Sequence, residues 1–266
     1  GWAGCFRVTS VLGYSRYVAL GDSQTEGLWD GDDTAGLAGF ADRLAVLLDT
    51  HYPGLQYANL AVRGKQIRHV LDEQLPVAVQ MGADVITVCI GMNDVTRPGP
   101  GFEDALCQLD ELYGRLAGSG ATVVTTTFPD LARILPIGRV LSTRVVRINA
   151  QIRSAADRHG FRLVDLYRAP SMTQPDTWSP DRVHGSPKGH MLFAAAAAEA
   201  LGLPGSSHDW ARADPGAPPP SFRSRTYSQA QWTRNMLMPW LWQHVRGESA
   251  GDGRPPRRPV LQQLTG

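Results

Sequence analysis

The sequence predicts an α/β fold built on a parallel, helix-covered sheet. Two observations carry this expectation: short β-rich runs alternate with longer helical periods, and one run, Val85–Ile90, is almost continuously apolar. Alternation of this kind reads as βαβ crossovers, and a continuous apolar run suits a central strand buried on both faces. Taken in order, the strands are predicted at Tyr17–Leu20, Gln56–Leu60, Val85–Ile90, Thr122–Thr127 and Arg162–Leu166. The helices are predicted at Ala38–Thr50, Ile67–Met81, Phe102–Ala117, Ser142–His159 and Pro187–Leu201. Gly118, Gly120 and Gly160 stand where helix C-caps need glycine. The run Ala194–Ala198 reads as a helix packed closely on the sheet.

Length and composition bound the rest. A chain of 266 residues with 42% hydrophobic content holds one sizeable α/β domain and an extension. The formal net charge of +1 gives the whole chain no electrostatic case for nucleic acid or an anionic membrane. Cys5, Cys89 and Cys107 are odd in number and irregular in spacing, which argues against a disulfide framework or a zinc site. No apolar stretch approaches transmembrane length. Residues 1–16 lack the apolar core of a signal peptide; they are expected to form a disordered leader, and the chain is expected in the cytoplasm. After Leu203 the composition shifts to Pro and Arg. Trp232, Met236, Leu237, Trp240, Leu241 and Trp242 form an amphipathic pattern interrupted by Pro239. Residues 204–266 are therefore expected to be an extension whose short amphipathic helix docks on the core, with doubtful order from Gly247 onward. Between 221 and 266, seven arginines against Glu248 and Asp252 leave a net charge of +5, expected to be solvated.

The chemistry concentrates in two blocks. Gly21-Asp22-Ser23-Gln24-Thr25-Glu26-Gly27 follows the first strand directly. In open α/β sheets, ligands bind beyond the carboxyl ends of the strands, which is where Ser23 stands, and a following helix N-terminus would favour negative charge there. The second block, Asp181-Arg182-Val183-His184, lies in a loop before Pro187, which suits the first turn of the last helix. A hydroxyl needs a base, and the base an orienting group. A three-residue offset in a loop lets Asp181 reach Nδ1 of His184 and leaves Nε2 for Ser23. Two polar stretches at the next strand ends, Asn59 to Gly64 and Gly91 to Asp94, supply candidate donors for an oxyanion: the Asn93 amide, the Gly64 N–H and the N–H of Ser23 itself. Asp22 is a supporting residue. Gly247-Glu248-Ser249-Ala250-Gly251 matches a nucleophile-elbow pattern, but no strand precedes it and no histidine follows, so it is rejected. The six-residue spacing of His184 and His190 fits no common metal site; His190 is assigned packing or a supporting hydrogen bond.

Gly21-Asp22-Ser23, Gly64 after Asn59-Leu60-Ala61, Gly91-Met92-Asn93-Asp94 and Asp181-Arg182-Val183-His184 together resemble the four blocks of the SGNH (GDSL) hydrolases, in order and in spacing, over residues 17–201. The tail resembles that of actinobacterial-type intracellular members. The resemblance implies a flavodoxin-like three-layer α/β/α domain with a five-stranded parallel sheet over 17–203. It also implies hydrolysis of a carboxylic ester through an acyl-serine, with no metal or organic cofactor and a small-molecule ester as substrate: a small acyl ester, an acetylated sugar or a lipid ester. It makes Ser23 the nucleophile, His184 the base, Asp181 its partner, and Ser23, Gly64 and Asn93 the oxyanion hole. Two departures stand out: Gln24 replaces a common Leu, and Gly185 replaces an apolar residue after the histidine. Both are expected to bear on the acyl pocket and not on the chemistry. The alternatives are an acyltransferase on the same scaffold and a non-enzymatic binding module acting through the Arg-rich tail.

Overall fold

The computed structural model describes residues 13–135, 138–216, 234 and 251–264. Strand β1 is Arg16–Gly21, followed by a one-turn helix α1, Ser23–Glu26, and a small hairpin, β2 (Gly31–Asp32) and β3 (Gly36–Leu37). Helix α2 is Gly39–His51 and β4 is Gln56–Asn59. A continuous helical stretch then runs as α3 (Ile67–His69), a wider π turn over Val70–Gln74, and α4 (Leu75–Gln80). The widening has a local cause: Pro76 has no N–H to continue the ladder, and a π turn absorbs the loss. Strand β5 (Val85–Cys89), α5 (Met92–Thr96), α6 (Phe102–Ala117), β6 (Thr122–Thr126), α7 (Leu131–Ile134), α8 (Gly138–His159), β7 (Arg162–Val164) and α9 (Pro187–Ala200) complete the core, and β8 (Arg258–Gln263) comes last.

The sheet has the order β7-β6-β5-β1-β4-β8. Its first five strands are parallel, with Val18 beside both Ala58 and Ile86. Every residue of β5 is buried, as its apolar run requires. Helix α2 packs on α9, while α6 packs on α3 and α8; the helices cover the sheet as two layers. The order reverses between β1 and β5, and the loops at the carboxyl ends of β1, β4 and β5 open beside this switch.

The sixth strand corrects the five-stranded expectation. β8 pairs antiparallel with β4, Gln56 opposite Gln263 and Tyr57 opposite Gln262, with an irregularity before Asn59–Arg258. Pro259 hid it, yet proline is tolerated on an edge strand. Its arginines are not a solvated fringe: Arg257 and Arg258 both pair with Asp42 of α2, and Arg258 lies 5.5 Å over the Tyr57 ring. The amphipathic segment with Trp232, Met236 and Trp240 lies outside the described residues, as does the rejected elbow apart from Gly251. Among the described residues, no helix is long and apolar enough to cross a membrane.

Candidate active site

Ser23 is the first residue after the buried turn Gly21-Asp22. Gly21 has φ +153, and a Cβ there would run into Cys89 O and Thr25 Oγ1. Only glycine lets β1 and β5 lie this close while the chain turns out of the sheet. Gln74, buried in the π turn, grips the same residue from both sides: its Oε1 accepts from Gly21 N–H at 2.9 Å, and its Nε2 donates to Gly21 O at 2.9 Å. The Asp22 side chain caps α1 by accepting from Gln24 N–H at 3.2 Å. α1 is only one turn long, so the dipole expected behind the serine has little length to act from. Asn59, which opens the polar stretch leading to Gly64, is fully buried and committed to structure. It donates to Thr25 O at 2.8 Å and accepts from Ala61 N–H at 3.1 Å.

His184 and Asp181 sit in a closed loop. Trp178 bridges to Gly185, Ser179 N–H donates to His184 O at 2.9 Å, and Arg182 at the tip takes φ +59. This loop meets the serine turn directly: Ser23 Oγ lies 2.6 Å from His184 Nε2, and His184 Nδ1 lies 2.6 Å from Asp181 Oδ2. Asp181 Oδ1 accepts from Ser179 Oγ at 2.6 Å, Val183 N–H at 2.9 Å and His184 N–H at 3.0 Å. Burial alone would raise the pKa of this carboxyl. The hydrogen bonds and charge of His184, with help from Ser179, outweigh it and hold Asp181 well below the usual carboxylate range. An anionic Asp181 requires Nδ1 to carry a proton, which leaves Nε2 free to accept from Ser23.

Asn93 follows β5. Its Nδ2 donates to Lys65 O at 2.8 Å and to Asp22 Oδ2 at 3.2 Å. It therefore joins the neighbour of Gly64 to the neighbour of Ser23, and all three proposed oxyanion donors come from adjoining strand ends. Gly64 sits in the turn after β4 with φ +78. Asp94 turns away, accepting from Ile67 N–H at 3.1 Å, and burial pushes its carboxyl up to about 6. Asp22 is pushed up to about 7, mainly by burial, with Gln24 N–H and His184 opposing. Cys89, at the end of β5, has its thiol pushed up to about 12 by burial, which keeps it protonated and poorly nucleophilic.

One neighbour of the site carried no sequence signal. Trp29 Nε1–H donates to Asp181 Oδ2 at 2.8 Å, from a backbone at φ +68. Gln24 meets Gly185: its Oε1 accepts from Gly185 N–H at 3.1 Å, and a Cβ on Gly185 would stand 3.1 Å from Gln24 Nε2. The two departures from the family pattern thus meet each other and tie the serine turn to the histidine loop. His190 is fully buried. Its Nδ1 accepts from Phe40 N–H at 3.1 Å, so Nε2 carries the proton and donates to Leu28 O at 2.8 Å. Burial lowers its pKa to about 4, consistent with the supporting hydrogen bonds expected of it.

The model of the GDSL-like lipase/acylhydrolase family matches residues 19–192, well over half of the chain, and the chain belongs to that family. It is a carboxylic ester hydrolase. Neither the acyltransferase nor the binding-module alternative gains support from this match. No curated protein matches the sequence. Solved structures share the fold, three of them as follows. An α/β hydrolase enzyme, LAE5, from the metagenome of Lake Arreo, Spain, aligns at TM-score 0.58 and 23% identity, over 71% of this chain and 95% of that one. Axe2, an acetylxylan esterase from Geobacillus stearothermophilus, aligns at 0.57 and 19%, over 75% and 97%. The psychrotrophic esterase EstA from Pseudoalteromonas sp. aligns at 0.55 and 15%, over 71% and 97%. At these identities the likeness is one of fold.

Proposed function

We propose that the chain cleaves carboxylic esters through an acyl intermediate on Ser23. The observation that carries this reading is the continuous hydrogen-bonded line from Ser23 Oγ through both nitrogens of His184 to Asp181. His184 Nε2 takes the serine proton as Oγ bonds to the ester carbonyl carbon. The carbonyl oxygen becomes an alkoxide among the N–H groups of Ser23 and Gly64 and the amide of Asn93. Of the two bonds Asn93 makes, the longer one, to Asp22, is the one the alkoxide displaces. The tetrahedral carbon then expels the alcohol, which receives its proton from His184 Nε2. Water, deprotonated by the same nitrogen, attacks the acyl carbon; Ser23 Oγ leaves, takes that proton back from His184 Nε2, and the free carboxylic acid departs. Asp181 stays anionic throughout and stabilises the protonated imidazole.

The substrate class we propose is a short acyl ester, acetylated carbohydrate included. What supports this is the activity of one fold neighbour, an acetylxylan esterase. The same reading keeps the chain in the cytoplasm, a placement that rests on the sequence alone. A panel of nitrophenyl esters of graded chain length, run beside acetylated sugars and lysophospholipids, tests the class. The reading expects turnover to be greatest for acetyl and other short acyl groups. Turnover confined to long-chain or phospholipid esters would contradict it.

A further inference from the structure

The segment after residue 250 lies outside the family match, yet it reaches the back of the proposed oxyanion hole. The N–H of Gly64 and the carbonyl of Arg63 belong to one peptide group, so whatever fixes the carbonyl aims the N–H. Gly251 packs against that carbonyl: a Cβ at Gly251 would collide with Arg63 O and stand 3.0 Å from Val62 Cγ1. The other flank of Arg63 is held by α1. Glu26, buried three residues after Ser23, accepts from Arg63 N–H at 2.7 Å and from its guanidinium at 2.8 Å. The C-terminal segment closes the same network, with Arg254 lying 3.3 Å from Asp33, which also bonds Arg63, and Arg257 Nε donating to Glu26 O at 3.3 Å.

The geometry points to Gly251 as a positioning residue: the C-terminal segment braces the Arg63–Gly64 peptide and sets the direction of its N–H toward the oxyanion on Ser23. This rests on the reading of Gly64 as a donor. A peptide plane that rotates by a few tens of degrees still lets substrate bind, because the ground-state carbonyl makes weaker use of the donor than the alkoxide does. The cost therefore falls on kcat. Removing a whole donor costs about 10²–10³ in rate, and misaiming one is expected to cost about tenfold or more.

The test compares Gly251→Ala, Arg254→Ala, Asn93→Ala and, as a control on an exposed position of β8, Val260→Ala, all in the full chain. Active serines are counted by fluorophosphonate titration, so that kcat refers to folded sites. Affinity for a trifluoromethyl ketone, which forms an oxyanion adduct, is read alongside. For Gly251→Ala, kcat per titrated serine should fall about tenfold or more, KM should stay within about twofold, and ketone affinity should fall in parallel. Arg254→Ala, which trims a side chain that is 41% exposed and leaves no clash, should lose up to about fivefold in kcat, the size of an exposed ion pair. Val260→Ala should match the parent. Unchanged kcat per titrated serine in both Gly251→Ala and Arg254→Ala, even with a lower melting temperature, would overturn the brace and leave a merely structural role. Unchanged kcat and ketone affinity in Asn93→Ala would instead overturn the oxyanion hole in which Gly64 is read as a donor, since Asn93 is its third member and bonds the carbonyl next to Gly64.

Discussion

Replacing Trp29 with Phe removes one N–H from the charge relay and keeps the ring. The indole donates at 2.8 Å to Asp181 Oδ2, the same oxygen that receives His184 Nδ1 at 2.6 Å. A hydrogen bond to a charged group contributes about 1.5–3 kcal/mol, and the 42% exposure of Trp29 places this one near the lower end. The carboxylate keeps Ser179 Oγ and two backbone N–H groups, so it remains ionised. What changes is how firmly Oδ2 is held in line with His184 Nδ1. If about half of the lower value serves that alignment, its loss costs roughly 0.7 kcal/mol in the transition state, or about threefold in rate. The kcat for a soluble nitrophenyl acetate, referred to serines titrated with a fluorophosphonate, should fall by about that factor. KM should stay within about twofold, because the indole N–H acts on the carboxylate and not on the substrate. An unchanged kcat, or a fall of about a hundredfold or more, would refute the reasoning that Trp29 shares the hold on Asp181.

Three further outcomes follow from the same geometry. Burial raises the folded Asp22 carboxyl to about 7 against about 3.9 in the unfolded chain. Its contribution to stability is therefore complete below about pH 3.9 and is lost as pH rises through 7; Asp22→Asn should gain in melting temperature relative to the parent from pH 4 to pH 8, and parallel curves would count against this. Asp181→Asn should cost on the order of 10³–10⁴ in kcat by favouring the wrong tautomer of His184, whereas Asp165→Asn should leave kcat unchanged, since Asp165 serves Arg153 and Thr127 instead; the reverse pattern in rates would reassign the carboxylate. A chain ended at Leu203 loses β8 and bares the edge of β4, so its melting temperature should fall and aggregation should rise in light scattering; equal stability and solubility would sink the docking of the extension.

Much of this architecture is legible in the sequence because one physical signal dominates it. Buried parallel strands such as Val85–Cys89 must be almost continuously apolar, and helices such as Phe102–Ala117 must show one apolar face. The places of Ser23, at the end of β1, and of Asp181 and His184, in the loop before α9, are legible for a related reason: the fold rules fix where those strand and helix ends lie. The missing parts depend on meetings between distant segments. β8 is short, starts with Arg258-Pro259 and takes its register from β4 alone, so no periodicity announces it. Trp29, Gln74 and Glu26 are ordinary residues for their elements. Only tertiary packing brings Trp29 to Asp181, Gln74 to Gly21 and Glu26 to Arg63. Gln24 and Gly185 were visible as departures from a pattern, but their meaning lay in their contact, 161 residues apart in sequence.

The most direct measurement is the fate of Ser23. A fluorophosphonate probe applied to the full chain and to Ser23→Ala, followed by peptide mapping and by nitrophenyl acetate turnover on the same samples, addresses the nucleophile itself. The account predicts one labelled peptide containing Ser23 in the parent. It predicts no label and loss of turnover in Ser23→Ala, with circular dichroism unchanged. Label that persists in Ser23→Ala, at Ser249 or any other serine, together with retained turnover, would contradict it.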